Sequence, residues 1–315
     1  MMEPFRYSLP NGGVVSGIRN IPPPSKSTPQ FRPLIIALHG GMYECHYFDA
    51  DSRHTASISS NTYEVPFVSI NRPCYGESSS LLPIPEESDF VRETAVWLHD
   101  YILPTLWSKI GVENGCNCIV LLCHSLGTMY GVAAAALHGQ DERPSYPLGG
   151  VIWSGLGDIW QPHMYENCIS KPYDPLGEQS ISSEVKDKIM FRPETVHGDV
   201  LKLTKKLDSP APLAELESLP ASWLPHWKEE WASHVKVPVM LAMMEHEPFF
   251  VVSEERLRAC AVAFSSSPRV DSSFIWGAPH CMELSFWSQG WYARAFGFAI
   301  ECSVHKGVIS TENCS

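Results

Sequence analysis

One stretch constrains this chain more than any other: Ile119-Val120-Leu121-Leu122-Cys123-His124-Ser125-Leu126-Gly127-Thr128-Met129-Tyr130. An apolar run stops at a serine and passes at once into small residues, which predicts a strand, a sharp turn and a helix. A serine at the apex of such a turn holds its hydroxyl clear of the sheet, with the next amides at a helix N-terminus. Small residues must flank the apex, and Gly127 is one. Cys123 stands where a Gly-x-Ser-x-Gly pattern has its first glycine; cysteine is compact, so the departure is mild.

Length and composition bound the rest. A chain of 315 residues holds one large or two ordinary domains and can bury a sizeable core. No apolar run reaches the roughly 18 residues of a membrane helix, so no membrane span is expected. The N-terminus lacks a basic region followed by an apolar stretch, and a cytoplasmic setting is expected. There the ten cysteines should stay reduced. Cys116 and Cys118 have no second pair at zinc-binding spacing, so neither a metal nor another cofactor is expected. A formal net charge of −12 without a basic run weighs against a nucleic-acid partner.

Taken in order, Phe5–Leu9 and Val14–Arg19 flank Pro10-Asn11-Gly12-Gly13 and predict a hairpin. Ile21–Pro33 is too rich in proline for a regular element. Leu34–Leu38, Phe67–Ile70, Asn117–Cys123, Val151–Ser154, Val237–Met243 and Ser273–Trp276 predict strands, the continuous apolar runs suiting burial on both faces of a parallel sheet. Ser88 is expected to cap a helix that Pro104 kinks or ends. Helices are also expected over Leu126–His138, Ser253–Phe264 and Glu283–Cys302, with a loosely held tail beyond Ser303. From Asp158 to Val235 the alternation of strand and helix stops. Helical patterns alone are expected there, over Ser183–Phe191, Asp199–Leu207 and Leu224–Val235.

Three further stretches bear on chemistry. Pro33-Leu34-Ile35-Ile36-Ala37-Leu38-His39-Gly40-Gly41 runs from a strand into a glycine pair, and Ile70-Asn71-Arg72-Pro73-Cys74-Tyr75-Gly76-Glu77-Ser78 follows another strand. Trp276-Gly277-Ala278-Pro279-His280 comes late, after a strand. With the serine turn, and in this order, they resemble the α/β-hydrolase superfamily from about Pro33 to the C-terminal helix. Asn71 and Cys74 replace the Asp and Gly usual in that family's Asp-x-Pro-Gly-x-Gly-x-Ser loop. The resemblance implies an α/β fold with a mostly parallel eight-stranded sheet flanked by helices. It implies a hydrolase core over 1–157 and 236–315, with a helical cap inserted at 158–235.

It also implies site residues. Ser125 would be the nucleophile, His280 the general base, and an acid would lie between them in sequence. Glu247, Glu245 and Asp158 compete for that role. Met244-Glu245-His246-Glu247-Pro248-Phe249 resembles the family's Gly-Glu-x-Asp-Pro-x pattern, which favours Glu247. The oxyanion hole would use the amides of Gly41 and Leu126, with Met42 a neighbouring candidate, while His39 braces the loop. Met42, Trp223 and Trp227 are the candidate substrate-binding residues, although tryptophans spaced by three or four also suit a core face.

Serine at the elbow, where epoxide hydrolases and haloalkane dehalogenases of this fold have aspartate, points to acyl chemistry. The expected partner is a small acyl or carbonyl substrate: an ester, a lactone, a thioester, or an activated carbon–carbon bond beside a carbonyl. An acyltransferase or cyclase using the same triad, or a catalytically silent binding protein, are the alternatives. The cap and the Trp223–Pro238 segment look like those of α/β-hydrolases found with fungal secondary-metabolite pathways, which would imply a polyketide-like substrate.

Overall fold

A computed structural model describes residues 2–26, 28–162 and 176–312. Strands β1 (Glu3–Ser8) and β2 (Val14–Asn20) form the antiparallel hairpin that the Pro-Asn-Gly-Gly turn predicts. Then come β3 (Pro33–Leu38), α1 (Ser57–Tyr63), β4 (Phe67–Ile70), α2 (Phe90–Val96), α3 (Leu103–Leu106), β5 (Cys118–His124), α4 (Gly127–Gln140) and β6 (Leu148–Ser154). An insert follows, with β7 (Glu178–Gln179), α5 (Ser183–Met190), α6 (Gly198–Leu207), β8 (Ala211–Pro212), α7 (Leu213–Ser218) and α8 (Leu224–Glu230). The main sheet resumes with β9 (Val239–His246), α9 (Glu254–Ala263), β10 (Val270–Pro279) and a closing helix α10 (Ser288–Glu312).

Eight strands make one sheet in the order β1-β2-β4-β3-β5-β6-β9-β10. Every neighbouring pair from β4 to β10 is parallel, and only the N-terminal hairpin and its junction with β4 run antiparallel. The apolar runs explain this sheet. In β5, Ile119, Leu121 and Cys123 face one hydrophobic cluster, shared with α2, α3 and α4. Cys118, Val120 and Leu122 face the other, shared with α10. A period of two splits a continuous apolar run between two helical layers, so every residue of the strand is buried.

Local details depart from the sequence expectations. Asp89, not Ser88, caps α2: its carboxylate accepts from the amides of Val91 at 2.8 Å and Arg92 at 3.0 Å, while the Ser88 hydroxyl donates to Glu93. Pro104 neither ends nor interrupts the helical path. Wider π turns at Trp97–Ile102 and Trp107–Gly111 lie on either side of it, and a wide turn makes room for a ring that lacks an N–H to donate. The insert is not wholly helical, because β7 and β8 pair as a small antiparallel ladder. Nor does helical structure stop near Cys302. α10 continues to Glu312, tied by a 2.9 Å hydrogen bond from Asn117 Nδ2 to the Ser303 carbonyl.

The cysteine in the serine turn has a structural counterpart. Cys123 is fully buried, and a Cβ built at Gly131, one helical layer above, would overlap its sulfur. Glycine at 131 supplies the volume that the thiol at 123 takes up. Gly131→Ala should therefore lower stability by about 1–3 kcal/mol despite alanine's better helix propensity, as overpacked cores do. The Cys123→Ala/Gly131→Ala double variant should recover much of that loss in urea unfolding; purely additive losses would refute the pairing.

Candidate active site

Ser125 joins β5 to α4 at φ 52, in the left-handed region that costs a non-glycine residue about 1–2 kcal/mol. Its amide donates to the carbonyl of Ser154, the last residue of β6, at 2.8 Å. Two residues on, any side chain at Gly127 would strike the carbonyl oxygen of Leu38 at the end of β3. The turn is thus wedged between two strand ends, and the hydroxyl of Ser125, half-buried, projects from their rim.

His280 follows the last residue of β10 and is 1 % exposed. Its Nε2 lies 3.2 Å from Ser125 Oγ, and its Nδ1 lies 2.7 Å from Glu247 Oε2. Glu247 follows β9, and its other oxygen accepts from the Phe249 amide at 3.1 Å. A carboxylate can only accept, so it assigns the proton to Nδ1 and leaves the Nε2 lone pair facing the serine. The Phe249 ring meets the imidazole edge-on, with centroids 4.9 Å apart. The other two acids are engaged elsewhere. Glu245 accepts from the Gly277 amide at 2.7 Å, and Asp158 pairs with Lys228 at 3.0 Å and Arg256 at 3.6 Å.

The loop after β3 lies against this turn. A Cβ at Gly40 would come 2.9 Å from Ser125 Cβ, which has no room to yield, and one at Gly41 would come 2.7 Å from Leu126 Cδ1, which would have to turn aside. His39 is a brace: its Nδ1 is 2.8 Å from the Gly40 carbonyl, and its Nε2 accepts from the Arg72 amide at 3.3 Å. Met42 has φ 62, in the left-handed region that a non-glycine residue seldom adopts. The Met42 side chain is nearly buried, clustered with Tyr75 and Ala211.

Behind the serine lies a second histidine–carboxylate pair that the sequence reading missed. His124 is stacked on Tyr47, with centroids 4.8 Å apart, and its Nδ1 lies 3.2 Å from Ser154 Oγ and 3.5 Å from Glu283. Glu283 also accepts from Tyr47 at 2.8 Å and from Trp291 Nε1 at 3.0 Å. Burial pushes the Glu283 carboxyl up from its ordinary value. Burial, reinforced by His280 and His39, holds the His124 imidazole well below its own. Beside the loop, Arg72 and Glu215 form a fully buried ion pair that was also missed. Arg72 stands within a quoted motif, but nothing local marks Glu215, which lies 143 residues away.

A family model described as the alpha/beta hydrolase family matches residues 35–294. The chain belongs to the alpha/beta hydrolase family. No curated protein sequence matches it. Among solved structures, it is similar to E-2-(acetamidomethylene)succinate hydrolase at a TM-score of 0.61 and 14% identity, covering 96% of this chain and 100% of that one. It is similar to a thermophilic esterase from Thermogutta terrifontis at a TM-score of 0.63 and 15% identity, covering 96% and 99%. An N-acyl homoserine lactonase complexed with N-hexanoyl homoserine gives 0.60 and 13%, covering 96% and 98%.

Two candidate substrate-binding residues of this hydrolase are packed within a hydrophobic cluster. Trp223 and Trp227 are 0% and 1% exposed, stacked on each other at 5.8 Å, and Trp227 meets Trp153 of β6 and Phe264. Their spacing of four is that of a helix face turned into the core. Among the described residues, Glu44, Cys45 and His46 are the one grouping of metal-ligand type, and burial with Glu44 beside it pushes the Cys45 thiol up. In the described residues no helix is long and apolar enough to cross a membrane.

Two outcomes follow from this packing. Trp227→Ala should cost about 3–5 kcal/mol in unfolding experiments and leave the substrate preference of the surviving folded enzyme unchanged; altered preference without lost stability would place the ring in the pocket after all. His39 and His124 are both held neutral by burial. Their folded-state pKa values lie below the ordinary value of 6.5, so the unfolded chain takes up more protons as pH falls, and stability present above 6.5 is lost below it. Glu283 is shifted upward and acts in the opposite sense, so the histidine contribution is read by difference. Between about pH 7.5 and about pH 5.5, His124→Asn should lose less of its urea midpoint than wild type does; equal losses would mean that His124 is not the group responsible.

Proposed function

We propose that this alpha/beta hydrolase is a serine hydrolase acting on an ester, lactone or thioester, or on an activated carbon–carbon bond beside a carbonyl, in a small, largely apolar metabolite. One observation carries the reading: the hydrogen-bonded line from Ser125 Oγ to His280 Nε2 at 3.2 Å and from His280 Nδ1 to Glu247 at 2.7 Å. That two of the structural neighbours are named as an esterase and a lactonase is consistent with acyl chemistry on this scaffold.

In this mechanism Ser125 Oγ attacks the acyl carbon as His280 Nε2 takes its proton. Glu247 holds the ring in the required tautomer and stabilises the imidazolium. The developing oxyanion lies between the amides of Gly41 and Leu126, where a preorganised donor is worth on the order of 3 kcal/mol of barrier. His280 then gives the proton to the leaving group, and a water activated by the same imidazole releases the acyl chain. The insert expected at 158–235, of which residues 163–175 lie outside the described residues, acts as a cap that shapes the acyl pocket, with Met42 contributing its wall on the loop side.

The deciding experiment is labelling with a fluorophosphonate, followed by turnover of acyl esters and lactones of graded length. Ser125→Ala should abolish labelling and turnover with the melting temperature nearly unchanged. Glu247→Gln should lower kcat by on the order of 10⁴-fold with little change in KM, since an amide cannot hold the same tautomer. Wild-type turnover in Ser125→Ala would sink the assignment.

A further inference from the structure

Glu215 has no place in the chemistry proposed above, yet it is one of the most completely buried carboxylates in the molecule. It sits on α7, within the insert, and is 0% exposed. Its oxygens accept from Arg72 Nη1, from the Tyr75 hydroxyl, and from the Tyr130 hydroxyl at 2.9 Å. Those donors come from the loop after β4 and from α4, the helix that Ser125 begins. The guanidinium also lies over both phenol rings, 4.7 Å and 4.9 Å from their centroids.

The other nitrogens of Arg72 reach the loop after β3. Nε donates to the His39 carbonyl at 2.8 Å, and Nη2 donates to the Gly40 carbonyl at 3.1 Å. A peptide unit is planar and trans, so a carbonyl and the N–H that follows it point in opposite directions. Holding the carbonyls of His39 and Gly40 on Arg72 therefore fixes where the amides of Gly40 and Gly41 point. The carbonyl two residues beyond Gly40 is held from the insert as well: Met42 accepts from the Ser209 amide at 3.1 Å and from Lys186 Nζ at 3.2 Å. Lys186 is itself buried and paired with Asp208. Each carbonyl from 39, 40 and 42 thus ends on a donor that the insert supplies directly or, through Glu215, holds in place.

We propose that Glu215 is a positioning residue: acting through Arg72, it sets the Gly41 amide in the orientation that receives the oxyanion, so that the docked insert completes the hole. The proposal rests on the serine-hydrolase reading for its catalytic consequence, but not for its structural one. Arg72 is fully buried with its three nitrogens engaged, and among the described residues Glu215 is its one counter-charge. If that charge is lost, the guanidinium is drawn toward water, because a buried cation without a partner is costly; the His39 carbonyl then loses its Arg72 donor, and the Gly40 carbonyl is left with His39 Nδ1 at 2.8 Å.

The test is Glu215→Gln, which keeps the shape and removes the charge, read in two ways. Amide hydrogen exchange over residues 39–43 should speed up by about ten-fold or more, because exchange reports local opening. With turnover counted per fluorophosphonate-labelled site, kcat for a short acyl ester should fall by about 10–100-fold while KM changes by less than about three-fold. Affinity for a boronic acid, which presents a tetrahedral oxyanion, should fall in step with kcat. A merely structural carboxylate would lower the melting temperature and leave exchange and kcat per labelled site unmoved. Failure of either readout to move overturns the proposal. If the wild-type chain shows no Ser125-dependent turnover, the serine-hydrolase reading fails instead, and exchange alone decides whether Glu215 orders the loop. Should Glu215→Gln not fold, Tyr130→Phe removes one donor and keeps the ion pair. It must give the same changes at smaller amplitude, and their absence counts equally against the idea.

Discussion

The side-by-side register of β3, β5, β6 and β9 is the constraint on which everything else depends. Leu38 pairs with Cys123, His124 with Ser154, and Ser154 with Ala242, so β3, β5 and β6 end at nearly one level while β9 runs on past it to His246. In an open α/β sheet the loops at the carboxyl ends share a crevice where the chain direction switches, here on either side of β3 and β5. The glycine loop, the serine turn, Glu247 and His280 meet because four strands deliver them to that edge. A shift of one residue in any pairing would turn every side chain of that strand to the opposite face.

Around that edge, ionisable groups are buried in pairs. On one side, burial pulls the Arg72 guanidinium down, and Glu215 with the Tyr75 and Tyr130 phenols more than offsets it, leaving it above its ordinary value. On the other, His124 and Glu283 are each driven toward the neutral form and share a hydrogen-bonded nest with Tyr47 and Ser154. Neutral and ion-paired groups disturb the field at Ser125 far less than a lone buried charge would. Asn71 fits the same logic. It accepts from the Cys45 amide at 2.9 Å and donates to Ser16 at 2.9 Å, and the aspartate more usual at that position could not donate.

What the sequence made legible was what short-range chemistry encodes. Continuous apolar runs marked the central strands, and the serine between an apolar run and small residues marked the turn. The choice of Glu247 over Glu245 and Asp158 rested on the resemblance of Met244–Phe249 to the family's Gly-Glu-x-Asp-Pro-x pattern, and the geometry brings Glu247 to His280. What stayed hidden depended on distant partners. Glu215 looks like any helix acid until Arg72 is beside it. Trp223 and Trp227 stood open between pocket wall and core, because an amphipathic face does not say whether it meets a core or a ligand. Pro104 looked like a helix breaker because flanking π turns leave no mark in the composition.

Cys123 has a consequence for how such chains are recognised. A pattern that demands glycine two places before the serine passes this one over, although the close approach of helix to strand is preserved. The missing space is found at Gly131, a residue no such pattern inspects. What the fold enforces is a limit on the combined size of two positions, and a letter at one of them is only its commonest solution. Restoring the familiar motif here by Cys123→Gly would accordingly open a void rather than repair a defect.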